Sequence, residues 1–122
     1  MTQNDKDLLL KDLCARVPYG VKYMRYSWDY DTDQELPVIE TLECADKDGY
    51  INHRRVYTVD DIKPYLFPLS SMTEEQKEDM IKSSCGIGSD KNVFDWYNKN
   101  HFDYRGLIPM GLAIDATGLN IY

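Results

Sequence analysis

Acidic side chains at alternate positions are the clearest chemical signal in this chain. In "DYDTDQELPVIE", residues 29–40, Asp29, Asp31 and Asp33 stand two apart, Glu35 follows, and Glu40 closes a count of twelve. A calcium ion takes six to eight oxygens, and the twelve-residue loop of an EF-hand supplies them from positions 1, 3, 5, 7, 9 and 12. Here those positions hold Asp29, Asp31, Asp33, Glu35, Pro37 and Glu40, and position 8 carries the aliphatic Leu36. Two positions break the pattern. The sixth needs glycine for a sharp turn and holds Gln34; the ninth is Pro37, whose side chain has no oxygen. The preceding "VKYMRYSW" reads as a strand rather than an incoming helix. A solvent-facing acidic loop is therefore expected. The alternative is a divalent-cation-responsive domain with Asp29, Asp31, Asp33 and Glu40 as ligands.

A second cluster lies in "WYNKNHFDYRGLI", residues 96–108. Trp96, Tyr97, His101, Tyr104 and Arg105 bring together the side-chain types that dominate binding hot spots, so they form the candidate binding face. A structural expectation competes with it: Trp96 and Phe102 anchor a helix to a sheet, and Arg105 pairs with an acid.

Catalytic patterns are sparse. His53 and His101 are far apart, and neither sits in a metal-ligand spacing. A small enzyme of unrecognised type would need His101 or His53 beside Cys14, Cys85 or a carboxylate, which the spacing does not supply. "GIGSD" contains G-x-G without the third glycine or preceding strand of a nucleotide loop. No cofactor is implied, and the chain leans towards a non-catalytic role.

Charge narrows the partners. With 21 acidic against 14 basic residues, the net charge is −7. General nucleic-acid binding needs a basic stripe, and the longest basic run is "HRR" at His53, Arg54 and Arg55. An acidic surface suits solubility and a basic protein partner. Ten tyrosines fit half-buried strands and contact surfaces. The N-terminus lacks a basic-then-apolar run, and no apolar stretch approaches the ~20 residues of a membrane helix. Three scattered cysteines (Cys14, Cys44, Cys85) write neither a disulfide framework nor a zinc site. Cytoplasmic residence, away from membranes, is the expectation.

The elements that must position these groups follow from periodicity. Residues 4–17 read as a helix with Leu9, Leu13 and Val17 on one stripe, Asn4 as its cap, and Pro18 and Gly20 as its stop. Segments 21–28, 37–44 and 50–59 read as strands, the last two joined through Asp48-Gly49. The second of them also admits a short helix. Residues 60–72, with Pro64 and Pro68, read as an apolar strap across the core, with a helical turn available at Asp60. Thr73 and Gln76 form a capping box for a second helix, which Gly86 would terminate. Ser89 or Asp90 would cap a third through "KNVFDWYNKNHF". Asp103 is expected to cap a short turn through Ile108, and "GLAID" to finish as an edge strand. The fold class is α+β in one domain of 122 residues: a small antiparallel sheet of about three strands, an N-terminal helix and two or three C-terminal helices.

Three blocks, "LLLKDLCARVPYGV", "DDIKPYLFPLSSMTEEQK" and "NVFDWYNKNHFDYRGLIPMGLAI", together resemble a group of short uncharacterised proteins of gut anaerobic bacteria and their prophage-like elements. The likeness covers about half of the chain and leaves out the central strands and the Asp-rich loop. It implies bacterial or phage origin and cytoplasmic residence, and it carries no known activity. The function expected is that of an accessory or protein-interaction protein.

Overall fold

The computed structural model describes residues 2–46, 48–52, 54–83 and 89–122. Helix α1 spans Gln3–Arg16. Its cap is Thr2 rather than Asn4, because Thr2 and Asp5 satisfy each other's backbone N–H groups in a capping box, at 3.1 Å each way. Leu9 and Leu13 are fully buried against the sheet. A 3-10 turn at Val17–Tyr19 follows, and Gly20 at φ 65° reverses the chain in a conformation that costs glycine little.

Strands β1 (Lys22–Asp29) and β2 (Gln34–Thr41) form an antiparallel hairpin paired over eight residues. The second strand is thus extended, and it begins three residues earlier than its sequence pattern suggested. Gly49, at φ 86°, closes a turn from Asp46, so that Ala45 bridges Ile51. The expected strand 50–59 is broken instead: β3 (Tyr50–Ile51) pairs with β4 (Arg54–Thr58) after Asn52 takes a positive φ of 53°.

The largest correction concerns residues 60–72. The helical turn is present as a 3-10 turn at Val59–Asp61, but the expected strap is strand β5 (Ile62–Pro68), the centre of the main sheet. It runs antiparallel to β1 and parallel to β6 (Phe102–Asp103) and β7 (Ile114–Asp115). Among the described residues the main sheet therefore has five strands and is mixed, not an antiparallel sheet of about three.

Strand parity explains how prolines enter this sheet. Val21 accepts the Leu42 N–H at 2.8 Å, so the odd residues of β1 turn their backbone groups towards β2. In the observed register, Pro37 faces Tyr26 and points its nitrogen to the free edge, where no donor is missed. On β5, Tyr65 and Phe67 bond along one edge, whereas Leu66 accepts the Ala116 N–H on the other. Pro64 and Pro68 share the parity of Leu66.

Helix α2 (Glu74–Ser83) starts with the expected Thr73–Gln76 box, Gln76 N–H donating to Thr73 Oγ1 at 3.2 Å. Helix α3 spans Ser89–Lys99. The proposed caps Gly86, Ser89 and Asp90, the "GIGSD" turn, His53 and Cys85 lie outside the described residues or side chains. Asp103 accepts the N–H groups of Leu107 and Ile108 at 2.9 Å each, and β7 falls within "GLAID", as expected. Leu9, Leu13, Val21, Tyr23, Leu42, Ile51, Val59, Ile62, Leu66, Leu107 and Leu112 form the core between α1 and the sheets. The chain is α+β, and among the described residues no helix is long and apolar enough to cross a membrane.

Candidate functional site

The aromatic segment 96–105 is drawn largely inwards. Trp96 is 5% exposed, stacks on Phe102 at 5.5 Å, and donates its indole N–H to Asp79 at 2.8 Å, tying α3 to α2. Tyr104 lies against both Phe94 (5.0 Å) and Tyr97 (5.6 Å), with the Arg105 guanidinium 4.8 Å from its ring centre. Arg105 donates to Asp12 at 3.0 Å. Asp12 and Arg16 are both fully buried, and Asp12 also accepts Arg16 Nε at 2.8 Å and Nη2 at 3.2 Å. Arg16 Nη2 donates to the Phe102 carbonyl at 2.6 Å. One carboxylate thus locks α1 to the turn after β6. These contacts make most of the segment a packing unit.

His101 stands two residues beyond α3 at φ 64°, and its ring stacks on Tyr122 at 3.8 Å. A helix C-terminus by itself would favour a positive charge on this ring. Burial, with the charges of Arg16 and Lys22 nearby, instead holds its pKa down to about 4, so the ring is neutral at pH 7. The Tyr122 hydroxyl accepts the Lys22 N–H at 2.8 Å and donates to the Tyr65 carbonyl at 2.7 Å, bridging β1 and β5 where the ladder ends. Burial raises that phenol to about 12. Cys14 is shifted upwards too, by burial and then by the charge of Asp46. A neutral buried imidazole and a thiol made less acidic are the opposite of an activated Cys–His pair.

The acidic segment is the tip of the β1–β2 hairpin. Asp29 Oδ1 accepts the Asp31 N–H at 3.1 Å and Oδ2 the Thr32 hydroxyl at 2.9 Å, shaping a turn in which Asp33 has φ 53°. Glu40 lies far along β2, where it accepts the Tyr23 hydroxyl at 2.6 Å and Arg25 Nη2 at 2.7 Å. The hairpin gives the four proposed ligands no common centre, and no group of three or more His, Cys, Asp or Glu is arranged for a metal ion among the described residues.

What the sequence pattern passed over is the other side of this hairpin. Tyr23 and Arg25 point to the core side, so Met24, Tyr26 and Trp28 share the opposite face. Their partners are Ile39, Pro37 and Glu35, in the pairs that bring side chains closest. Tyr26 is 54%, Trp28 49% and Ile39 51% exposed. Further along the same face, Phe67 is covered by Phe102 and Tyr122 at 5.9 and 5.8 Å. The hairpin half is left open. A groove of ≈ 450 Å³ runs beside it, lined by Met24, Tyr26, Glu35, Asp60, Asp61 and Lys63 with Ile62. The usable signal was the alternation Met24–Tyr26–Trp28, but Tyr23 and Arg25 alternate equally well, and the pattern alone does not say which face is covered.

Comparison with protein-family models, with curated proteins and with solved structures finds no match to this chain.

Proposed function

We propose that the chain is a non-catalytic accessory protein of bacterial or phage origin that works in the cytoplasm by binding a protein partner. Its contact surface is the open face of the β1–β2 hairpin, with Tyr26, Trp28 and Ile39 at the centre. One observation carries this reading. Of the twelve large apolar side chains that are exposed among the described residues, five (Tyr26, Trp28, Tyr30, Leu36 and Ile39) lie on this hairpin, and three of those share one face. Exposed aromatics on a rigid paired strand supply large contact area at small entropic cost, which is the composition of binding hot spots. The 96–105 segment offers less, because its tryptophan is buried and its arginine is already paired.

Site-specific photo-crosslinking tests the reading. A benzoylphenylalanine at position 28 or 39 is expected to capture a discrete protein from a bacterial lysate, and one at Glu75, exposed on α2, is not. Trp28→Ala is expected to reduce capture from position 39 at least about tenfold. Identical adducts from all three positions, or capture that ignores Trp28→Ala, would overturn the assignment.

A further inference from the structure

Resting on that reading, we propose that the partner contributes a basic segment, which lays apolar side chains on the open face and places a lysine or arginine in the groove beside Tyr26. The face is apolar at its centre and acidic at its margins. Asp60 and Asp61 stand where β5 begins, next to Tyr26; Glu35 stands opposite Trp28; Asp31 and Asp33 are exposed at the hairpin tip. Among the described residues, Lys63 is the one basic residue lining the groove. Lys6 meets Asp60 at 3.0 Å across a half-exposed pair that a competing cation can displace. Asp61 is held in place by accepting the Thr58 N–H at 2.9 Å.

This arrangement matches a long basic side chain in both of its parts. Met24 and the Tyr26 ring receive the aliphatic stem, and the carboxylates receive the head. Charge decides against other occupants. A second copy of the chain, carrying −7 itself, would set acidic margin against acidic margin. A nucleic-acid strand would stack on the aromatics but bring phosphates to the same carboxylates. The free edge of β2 contributes little, since Pro37 breaks its row of donors.

Fluorescence anisotropy with three labelled octapeptides tests this: alternating Arg-Leu, alternating Gln-Leu and alternating Glu-Leu. An octadeoxythymidylate is run as a fourth probe. The arginine peptide is expected to bind at least about tenfold tighter than the glutamine peptide, and to weaken as salt rises from about 50 to about 300 mM. Glu35→Gln with Asp60→Asn, which spares the Asp61 cap, is expected to remove roughly that tenfold advantage. Neutralising Glu74, Glu75 and Glu78 on α2 is expected to change nothing. Equal affinity for the arginine and glutamine peptides, preference for the oligonucleotide, no binding of the arginine peptide, or an equal loss from the α2 variant would each overturn the basic-segment inference. Trp28→Ala separates the two levels. If the glutamine peptide binds as well as the arginine peptide and still needs Trp28, only the charge preference fails. If no bound probe depends on Trp28, the contact face fails with it.

Discussion

Replacing Asp12 by asparagine keeps the shape of the side chain and removes the charge that holds two arginines. Asp12 accepts three N–H donors, at 2.8 and 3.2 Å from Arg16 and 3.0 Å from Arg105. An amide offers one acceptor oxygen, and its NH2 group would face guanidinium donors. With its oxygen at the Oδ1 position the amide loses only the Arg16 Nε bond, and at Oδ2 it loses two, each charge-assisted bond being worth about 1.5–3 kcal/mol. Arg16, fully buried, is left as an uncompensated charge, a situation that costs about 3–5 kcal/mol when one partner of a buried pair is removed. The stranded charge sets the expectation at about 3–5 kcal/mol, within the roughly 1.5–6 kcal/mol that one or two lost bonds span. For a domain of this size, 1 kcal/mol moves the melting temperature by about 3–5 °C, so Asp12→Asn is expected to melt roughly 10–25 °C lower. Urea denaturation should show the midpoint falling with an unchanged slope. Asp12→Leu with Arg16→Met removes the stranded charge together with its partner. This double variant is expected to be more stable than Asp12→Leu alone, although the Phe102 carbonyl loses its donor. A melting temperature of Asp12→Asn within about 3 °C of the parent would refute the reasoning, because it would mean that Arg16 finds water or another acceptor freely.

Three further outcomes follow from the geometry. His101 keeps a pKa of about 4 when folded against an ordinary 6.5, so the unfolded chain binds its proton first; stability is expected to fall as pH drops from 6.5 to 4, and His101→Asn, which tolerates φ 64°, to flatten that part of a urea-midpoint profile. A profile unchanged by the substitution would show that the ring is solvated. Pro37→Thr restores an outward N–H on the edge strand and is expected to produce concentration-dependent self-association in sedimentation velocity, whereas a monomer at all concentrations would show that the edge is guarded by something else. Tyr122→Phe strips the hydroxyl that joins Lys22 N–H to the Tyr65 carbonyl and is expected to cost about 1–3 kcal/mol in urea denaturation; no loss would mean that water replaces the bridge.

The helices were the legible part of this chain. α1 announces itself through apolar spacing and α2 through the amide three residues after Thr73, signals that need no tertiary contact, although the cap of α1 is Thr2 and not the Asn4 its spacing suggested. β5 was hidden by the residues that make it possible. Pro64 and Pro68 look like breakers, and only the register shows that no partner asks them for an N–H. β6 is two residues long and exists because β5 lies beside it, so no local pattern could mark it, whereas β7, equally short, was legible within "GLAID". The candidate site divides in the same way. Residue types picked out Trp96 and Arg105, but type does not distinguish a hot spot from an anchor, and burial made them anchors. Trp28 and Tyr26 gained significance only once α1 was seen to cover the opposite side of the sheet.

The prolines of β5 also bear on how the chain is assembled. β5 acquires its antiparallel neighbour from residues already made, but its parallel neighbours lie more than thirty residues further on. Until those arrive, the edge that will receive β7 stands bare. On that edge the backbone carries Ile62, Pro64, Leu66 and Pro68, so two N–H groups are offered where a regular strand would offer four. A nascent chain with such an edge has little to offer a neighbouring copy, and the late strands reach it through the Leu66 carbonyl, which proline leaves untouched.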